Sequence, residues 1–217
     1  MGESDLFERY ADEYDRWFDE HPRIYRAEIR AVGRFLPHPG LGIEVGVGTG
    51  RFATPFGIGI GVDPARQMVR RAQARGLAVC QARGERLPFR AGQFDYALLV
   101  TVICFVPDPL ALLQDVHRVL RPGGPVIIGW IARDSPLGRL YERRREHSRF
   151  YREATFYTVS DVVGYVRRAG FGQMQFSQTL FGIPDDDPAT FQVRDGYGEG
   201  AFVVLRAVKL AGEGIAA

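Results

Sequence analysis

The residues of this chain whose types and spacing could do chemistry are a glycine-rich turn and an acid that follows it. The turn spans 44–50 and reads EVGVGTG, and Asp63 stands 17 residues after Gly46, at the end of the next apolar run. Glycines let the backbone approach a ligand without Cβ collisions, and an acid at that place can accept hydrogen bonds from both hydroxyls of a ribose. The pair predicts a site for a nucleoside-containing ligand; a tight turn with a purely structural role is the alternative.

The spacing of the glycines differs from that of dinucleotide-binding turns. The chain reads G-x-G-x-G, whereas the dinucleotide fingerprint is G-x-G-x-x-G, and Arg51 stands where the third glycine of that fingerprint belongs. The chain also has no Tyr-x-x-x-Lys pair. Both features disfavour an NAD-dependent oxidoreductase, which stays as a less favoured alternative.

Side chains that could act as bases or metal ligands are scattered along the chain. His21 and His147 lie outside the central α/β pattern and are candidate bases, with Tyr14 as a third candidate. A surface position is the alternative for both histidines. Cys80 and Cys104 show neither a metal-ligand spacing nor a disulfide framework, so the sequence predicts no metal site.

The elements that position these residues alternate between strands and helices. Short apolar runs predict seven strands, at 41–45, 58–62, 77–81, 94–101, 126–131, 171–180 and 201–208. Apolar residues at helical spacing predict helices at 5–18, 25–36, 64–75, 107–120, 137–151 and 158–169, with two helical turns at 50–56. Thr158 and Asp161 predict a capping box for the last helix. The alternation predicts a mostly parallel sheet with helices on both faces.

Length and composition exclude several classes of protein. The chain has 217 residues, a formal charge of +2 and 25% charged residues, which is ordinary for a globular domain. The near-zero charge argues against a general nucleic-acid binder, and no apolar run reaches the roughly 18 residues of a membrane helix. No secretory signal is visible. We therefore expect a single domain, 1–217, in the cytoplasm, as a monomer or homodimer.

Four ordered segments resemble the motifs of class I S-adenosylmethionine (SAM)-dependent methyltransferases. The segments are 43–50, IEVGVGTG; 61–68, GVDPARQM; 84–95, whose ends read GERLPF and GQFD; and 118–124, RVLRPGG. The resemblance covers residues 40–131 strongly and is closest to the methyltransferase type 11, or quinone-biosynthesis-like, subgroup. It implies an α/β, Rossmann-like sandwich with a seven-stranded, mostly parallel sheet and an N-terminal helical lid.

The resemblance also implies SAM as the cofactor, S-adenosylhomocysteine (SAH) as the product, and a set of cofactor-binding residues. These are Glu44, Gly46, Gly48, Gly50, Asp63, Met68, Gly84, Glu85 and Thr101. Glu44 would meet the methionine moiety, Asp63 the ribose and Met68 the adenine. Arg83 departs from the family pattern, since many relatives carry an acid there that accepts from the adenine amino group. An arginine cannot accept that hydrogen bond.

Substrate selection is expected outside the SAM-binding core, 41–131. The resemblance implies a lid at 1–36 and a substrate-side insertion at 133–157, before the C-terminal part of the sheet at 158–208. The candidate substrate-binding residues are Tyr10, Trp17, Cys104, Arg143 and Tyr151. The alternatives are an aromatic N-terminal stripe that is plain core, a cysteine that only packs, and an arginine-rich helix that is merely solvated.

The sequence thus predicts an enzyme, a SAM-dependent methyltransferase (EC 2.1.1.-), that transfers a methyl group to a small-molecule acceptor by in-line displacement. The protein would mainly position and desolvate the two reactants. The arginines and aromatic residues of 133–157 favour an anionic or aromatic acceptor, and a nucleic-acid acceptor is disfavoured by the charge. The alternative is a module that binds SAM or SAH without catalysis.

Overall fold

The fold is built on one mixed sheet. The structure, a computed structural model, describes residues 3–37, 39–182 and 187–210. Its strands are β1 Gly42–Val45, β2 Ile60–Asp63, β3 Ala78–Gln81, β4 Tyr96–Val100, β5 Pro125–Ile131, β6 Phe171–Phe181, β7 Arg194–Asp195 and β8 Gly200–Lys209. They lie in the order β3-β2-β1-β4-β5-β8-β6-β7. The first five are parallel to one another, and β8 runs antiparallel between β5 and β6.

Helices cover both faces of the sheet. They are α1 Glu3–Arg9, α2 Ala11–Glu20, α3 Pro22–Gly33, α4 Arg66–Ala74, α5 Pro109–Val119, α6 Pro136–Arg144 and α7 Val159–Arg168. Apolar side chains of α5 and α7 form the core on one face, and those of α3, α4 and α6 form the core on the other. Because helices cover both faces, nearly every residue of β4, β5 and β8 is buried.

The predicted Rossmann-like sandwich is confirmed, with one strand more than predicted. The seven predicted strands are all present, and the eighth, β7, is a two-residue edge strand of exposed Arg194 and Asp195. No apolar run marks it in the sequence, so hydrophobic patterning could not reveal it. The capping box at the start of α7 is also confirmed, since Thr158 and Asp161 exchange side-chain and backbone hydrogen bonds.

Three helix predictions differ from the structure. The helix predicted at 5–18 is two helices that meet at Tyr10, whose backbone leaves the helical conformation. The one predicted at 137–151 is wrong in length: α6 ends at Arg144, a 3₁₀ turn follows, and the Ser148 hydroxyl accepts from the Tyr151 N–H and stabilises a local turn. The two turns predicted at 50–56 are a single 3₁₀ turn, Thr54–Phe56, which ends at Gly57.

Residues 1 and 2 of the predicted lid, and residues 211–217 of the predicted domain, lie outside the described residues. None of the helices in the described part of the chain combines the length and apolar character needed to span a bilayer.

Candidate active site

A cavity of about 380 Å³ opens at the carboxyl ends of β1, β2 and β4. The order of the strands reverses between β1 and β4, which is where open α/β sheets bind their ligands. Of the nine residues that sequence reasoning assigned to a cofactor, seven line this cavity: Gly46, Gly48, Asp63, Met68, Gly84, Glu85 and Thr101. The volume lies within the range of small-molecule sites.

The glycine turn forms the floor of the cavity. Gly46 has a φ of +70°, and a Cβ at this position would collide with the side chain of Val102, so only glycine fits. Gly48 lies beneath the ring of Tyr14, which a Cβ at Gly48 would meet at 3.5 Å. Both glycines therefore lie close to a neighbouring side chain, Val102 or Tyr14, and present bare backbone to the cavity.

Asp63 ends β2 with its carboxylate at the cavity wall. One oxygen accepts from the Gly48 N–H and the other from the Ala65 N–H, both at 2.9 Å. Burial raises the pKa of Asp63 to about 6, although these two backbone hydrogen bonds lower it. Each oxygen keeps lone pairs for a further donor. The side chain is thus fixed by backbone and still able to accept from a ligand's two hydroxyls.

One side of the cavity offers an apolar surface with a polar edge. The side chain of Met68 is buried there, and Gly84 packs closely on Leu112. Arg83 is mainly exposed and its guanidinium lies 3.5 Å from a carboxylate oxygen of Glu85. Glu85 is therefore the acceptor that this edge presents, and Arg83 stands beside it at the rim.

Thr101 lies at the opposite end of the cavity, directly after β4. Its φ is +56°, a left-handed conformation that is rare for a β-branched residue and costs about 1–3 kcal/mol. Its N–H donates to the Gly129 carbonyl of β5 at 2.7 Å, which helps to hold this conformation. Backbone strain of this kind often occurs at functional sites. No sequence pattern predicted the left-handed conformation of Thr101.

Comparison with known proteins agrees with this geometry. The profile of a family described as "Methyltransferase domain" matches residues 43–128. An uncharacterized protein of Methanocaldococcus jannaschii is 44% identical over 205 residues, covering 94% of this chain and 99% of that protein. The crystal structure of a SAM-dependent methyltransferase from Thermotoga maritima, named as a possible histamine N-methyltransferase, has a TM-score of 0.91 and 46% identity, covering 94% and 98% of the two chains. The chain belongs to the class I SAM-dependent methyltransferases.

SAM is accordingly the cofactor of this methyltransferase and SAH its product. The cavity fits that molecule, because the Asp63 carboxylate on its wall keeps lone pairs for further donors and Gly46 and Gly48 present bare backbone beside it. The quinone-biosynthesis subgroup stays a prediction, because the demethylmenaquinone methyltransferase of Bacillus cereus is 23% identical over 216 residues, covering 82% of this chain and 91% of that protein.

Two residues of the implied cofactor set do not lie on the cavity wall of the methyltransferase. Glu44 is buried beneath the turn, where one carboxylate oxygen accepts from the Ala53 backbone and Oε2 has no partner in the described residues. Burial raises the pKa of Glu44 well above its usual range. Gly50 faces α4, where a Cβ would collide with Leu77. Direct contact of either residue with the cofactor is thus not supported by its position.

A clasp of ions and hydrogen bonds holds α2 on the glycine turn. Asp15 accepts from the Thr49 hydroxyl at 2.6 Å, from Arg51 at 2.8 and 2.9 Å and from Arg75 at 2.9 Å. Burial opposes ionisation of Asp15, but these hydrogen bonds outweigh it and hold its pKa well below the usual range. The sequence analysis did not predict this clasp. Arg51, a cation directly after the glycine turn, was the residue that could have indicated an acidic partner there.

The clasp places Tyr14 over the cavity. Its ring packs edge-to-face on Phe7, Phe18 and Phe150, and Phe7 packs likewise on Phe105. Burial, then the charges of Glu44 and Asp63, raise the pKa of Tyr14 above its usual range. The phenol of Tyr14 is therefore neutral at neutral pH, and its predicted role as a base stays a prediction.

Several other predicted site residues lie away from the cavity wall. His21 and His147 are exposed and off the cavity wall; His21 stacks on Trp17 and hydrogen-bonds the Trp17 carbonyl at 2.9 Å. Tyr10 and Trp17 line a separate, more open cleft, and Arg143 is exposed. These five positions lie off the cavity wall, because sequence shows that a residue lies in a lid or an insertion, but not which way it faces.

Two predicted substrate residues lie directly behind the wall. Cys104 is buried, with its thiol 3.5 Å from the Thr101 carbonyl oxygen. Tyr151 stacks on Phe105, which lines the cavity, at a centroid distance of 6.5 Å. Phe105 and the wall residue Glu153 were not predicted; each lies within two residues of a predicted one.

Proposed function

We propose that this methyltransferase transfers a methyl group from SAM to a small-molecule acceptor in the cavity between α2 and the carboxyl ends of β1, β2 and β4. The observation that carries the proposal is the roof: Phe7, Tyr14 and Phe105 close over the glycine floor and leave a confined space. A polymer would need an open groove, whereas a small molecule fits such a space.

The residues of the wall have distinct roles in this proposal. Asp63 accepts from the ribose hydroxyls, Met68 packs against the adenine, and Glu85 accepts at the adenine edge. The bare backbone at Gly46 and Gly48 passes beneath the cofactor, and the strained Thr101 borders the methyl-donor end. When bound, SAM supplies an activated methyl group and a thioether leaving group.

The lid contributes by excluding water. Aromatic side chains from α1, α2 and the segment 145–157 meet above the cavity, which desolvates a charged reactant and strengthens every polar contact inside. The clasp at Asp15 fixes this arrangement. The protein therefore acts through position and desolvation, which is the part that methyl transfer from a sulfonium leaves to it.

A small-molecule acceptor has further support. The similar protein of Thermotoga maritima is named as a possible methyltransferase of histamine, a small molecule. The anionic acceptor predicted from the arginines of 133–157 loses its support, because Arg143, Arg144 and Arg145 are exposed and do not line the cavity. A cytoplasmic location and a monomeric or dimeric state stay predictions.

Calorimetry and a transfer assay test the proposal. SAH should bind the purified protein and NAD should not, and a label on the methyl group of SAM should appear on a small-molecule acceptor from a mixed metabolite pool. Binding of NAD in place of SAH would overturn the proposal. Binding of SAH without transfer to any acceptor would favour the non-catalytic module instead.

A further inference from the structure

One charged group on the cavity wall is not used in the cofactor site. Asp63 accepts two backbone hydrogen bonds and is assigned to the ribose, and Glu85 is assigned to the adenine edge beside Arg83. Glu153 also lines the cavity, with an exposed side chain, and forms no ion pair within the part of the chain that the structure describes. Its carboxylate is therefore open to a charged ligand at the mouth of the cavity.

The backbone that carries Glu153 is anchored to the segment directly after β4. The Thr155 N–H donates to the Cys104 carbonyl at 2.9 Å. Ala154 is only 2% exposed and shares a hydrophobic cluster with Cys104, on which Phe105 packs. Contacts immediately after Glu153 thus fix its position at the wall, so the carboxylate does not depend on a loosely held loop.

This part of the wall differs from the part assigned to the adenine. Met68 packs in one hydrophobic cluster with Ala65, at the beginning of α4. The neighbours of Glu153 form another cluster, which lies within four residues of Thr101 along the chain. Because Thr101 borders the methyl-donor end in the proposed function, these contacts associate Glu153 with the end of the cavity where an acceptor must bind.

Three aromatic rings line the same cavity. Phe7 packs edge-to-face on Tyr14, with ring centroids 5.8 Å apart and an interplanar angle of 89°, and on Phe105 at 5.0 Å and 86°. The face of an aromatic ring is the negative part of its quadrupole, and several rings around one space bind ammonium groups through it. The rings and the Glu153 carboxylate therefore favour the same kind of ligand.

The remaining charges of the wall do not oppose a cation. Among the described residues that line the cavity, three are acids and one, Arg83, is a base. The Arg83 guanidinium is mainly exposed and lies 3.5 Å from a carboxylate oxygen of Glu85. An ammonium group would gain from the carboxylate and the rings, whereas an anion would be repelled by both.

We propose that Glu153 and the rings of Phe7, Tyr14 and Phe105 select an acceptor that carries an ammonium group. This inference rests on the proposed function. The Glu153 carboxylate pairs with the ammonium group at the mouth of the cavity, and the rings surround the carbon atoms next to the nitrogen. The charged group thereby orients the acceptor, whichever of its atoms takes the methyl group, and Glu153 is a specificity-determining residue.

Calorimetry on the protein saturated with SAH tests this inference without turnover. The probes are two pairs of similar shape, phenethylamine with phenethyl alcohol and isopentylamine with isopentyl alcohol, and phenylacetate as the anion. In the wild type each amine should bind more tightly than its alcohol. Glu153→Gln should lower the ratio of amine to alcohol affinity by about 3- to 10-fold, the range expected for a partly solvated ion pair.

The matched control is Glu146→Gln, which removes the same charge from an exposed residue of the same segment that does not line the cavity. Its ratio of amine to alcohol affinity should equal that of the wild type. Phe105→Leu keeps an apolar side chain and removes a ring face, so the ratio should fall by about 2- to 5-fold. Because each readout is a ratio, a general change in the shape of the cavity cancels.

Three results would overturn the inference: equal affinity for amines and alcohols in the wild type, tighter binding of phenylacetate than of amines, or an unchanged ratio in Glu153→Gln. Loss of SAM affinity in Glu153→Gln, with the amine ratio unchanged, would also overturn it, because the carboxylate would then serve the sulfonium of the cofactor. Binding of SAH without preference for amines would leave the proposed function intact, whereas failure of SAH to bind would overturn that function itself.

Discussion

Two buried carboxylates, Asp63 and Glu28, differ in what holds them. Asp63 accepts two backbone hydrogen bonds, and its pKa rises only to about 6. Glu28 has no hydrogen bond within the described residues, and burial raises its pKa to about 8. Backbone donors therefore hold the Asp63 carboxylate in place, whereas burial alone determines the pKa of Glu28.

The two acids differ in whether the fold supplies hydrogen-bond donors to the buried carboxylate. The cofactor side is preorganised, because the turn and strand that present Asp63 also satisfy it. Glu28 has no such donors among the described residues, so burial disfavours its ionised form. Loss of the Glu28 carboxyl should therefore stabilise the fold at high pH, whereas loss of the Asp63 carboxyl should weaken cofactor binding.

The largest effect is expected from Glu28→Gln on stability. A group whose pKa is raised from about 4.5 to about 8 on folding binds a proton more tightly in the folded state, so the free energy of unfolding falls as pH rises through this window. Glutamine lacks that titration. From pH 4 to pH 9, the free energy of unfolding of the variant should therefore rise by roughly 3–5 kcal/mol relative to that of the wild type, as measured by urea unfolding at both pH values. An equal difference at both pH values would show that Glu28 titrates normally.

Removal of the clasp should come next. Asp15→Asn leaves Arg51 and Arg75 without their partly buried acid and should lower the free energy of unfolding by about 2–4 kcal/mol at pH 7. The pKa of Asp15 is depressed, so its contribution is present above the pKa of the unfolded chain and lost as pH falls below it. The control is Glu13→Gln, whose half-exposed ion pair with Arg149 should contribute about 1 kcal/mol or less.

Asp63→Ala should weaken SAH binding by about 1–3 kcal/mol, because the ribose hydroxyls lose their acceptor. Two donors from a ribose favour the ionised carboxylate, so SAH affinity of the wild type should fall as pH drops below about 6. That pH dependence should vanish in the variant. Glu28→Gln should leave SAH affinity unchanged in calorimetry at pH 7; a comparable loss there would remove the distinction between the two acids.

Charge reversal of the exposed arginines should have the smallest effect. Arg143→Glu combined with Arg145→Glu should change the free energy of unfolding by about 0.5 kcal/mol or less, because both side chains are exposed. SAH affinity and methyl transfer should match the wild type. A large loss of methyl transfer with intact SAH binding would indicate that the acceptor binds at the arginine-rich helix instead.

Much of the fold was predictable from local pattern, with errors where local pattern is weak. The boundaries of each predicted strand lie within a few residues of those of an observed strand, because buried apolar runs indicate strands directly. β7 has no such run. The overlong helix at 137–151 shows the opposite error: its residues suit a helix, but the Ser148 turn and the stacking of Tyr151 on Tyr141 end it earlier.

The sequence by itself determined the features that neighbouring residues encode: the glycine turn, the acid that ends β2, the capping box of α7 and the alternation of strands and helices. Only the tertiary structure decided which distant residues meet. Asp15 reaches Arg75 across 60 positions, and the ring of Phe150 packs on that of Tyr14 although the two residues lie far apart in the sequence. Hydrogen bonds within a turn follow from local spacing, whereas burial and charge environment sum over every element packed around a group.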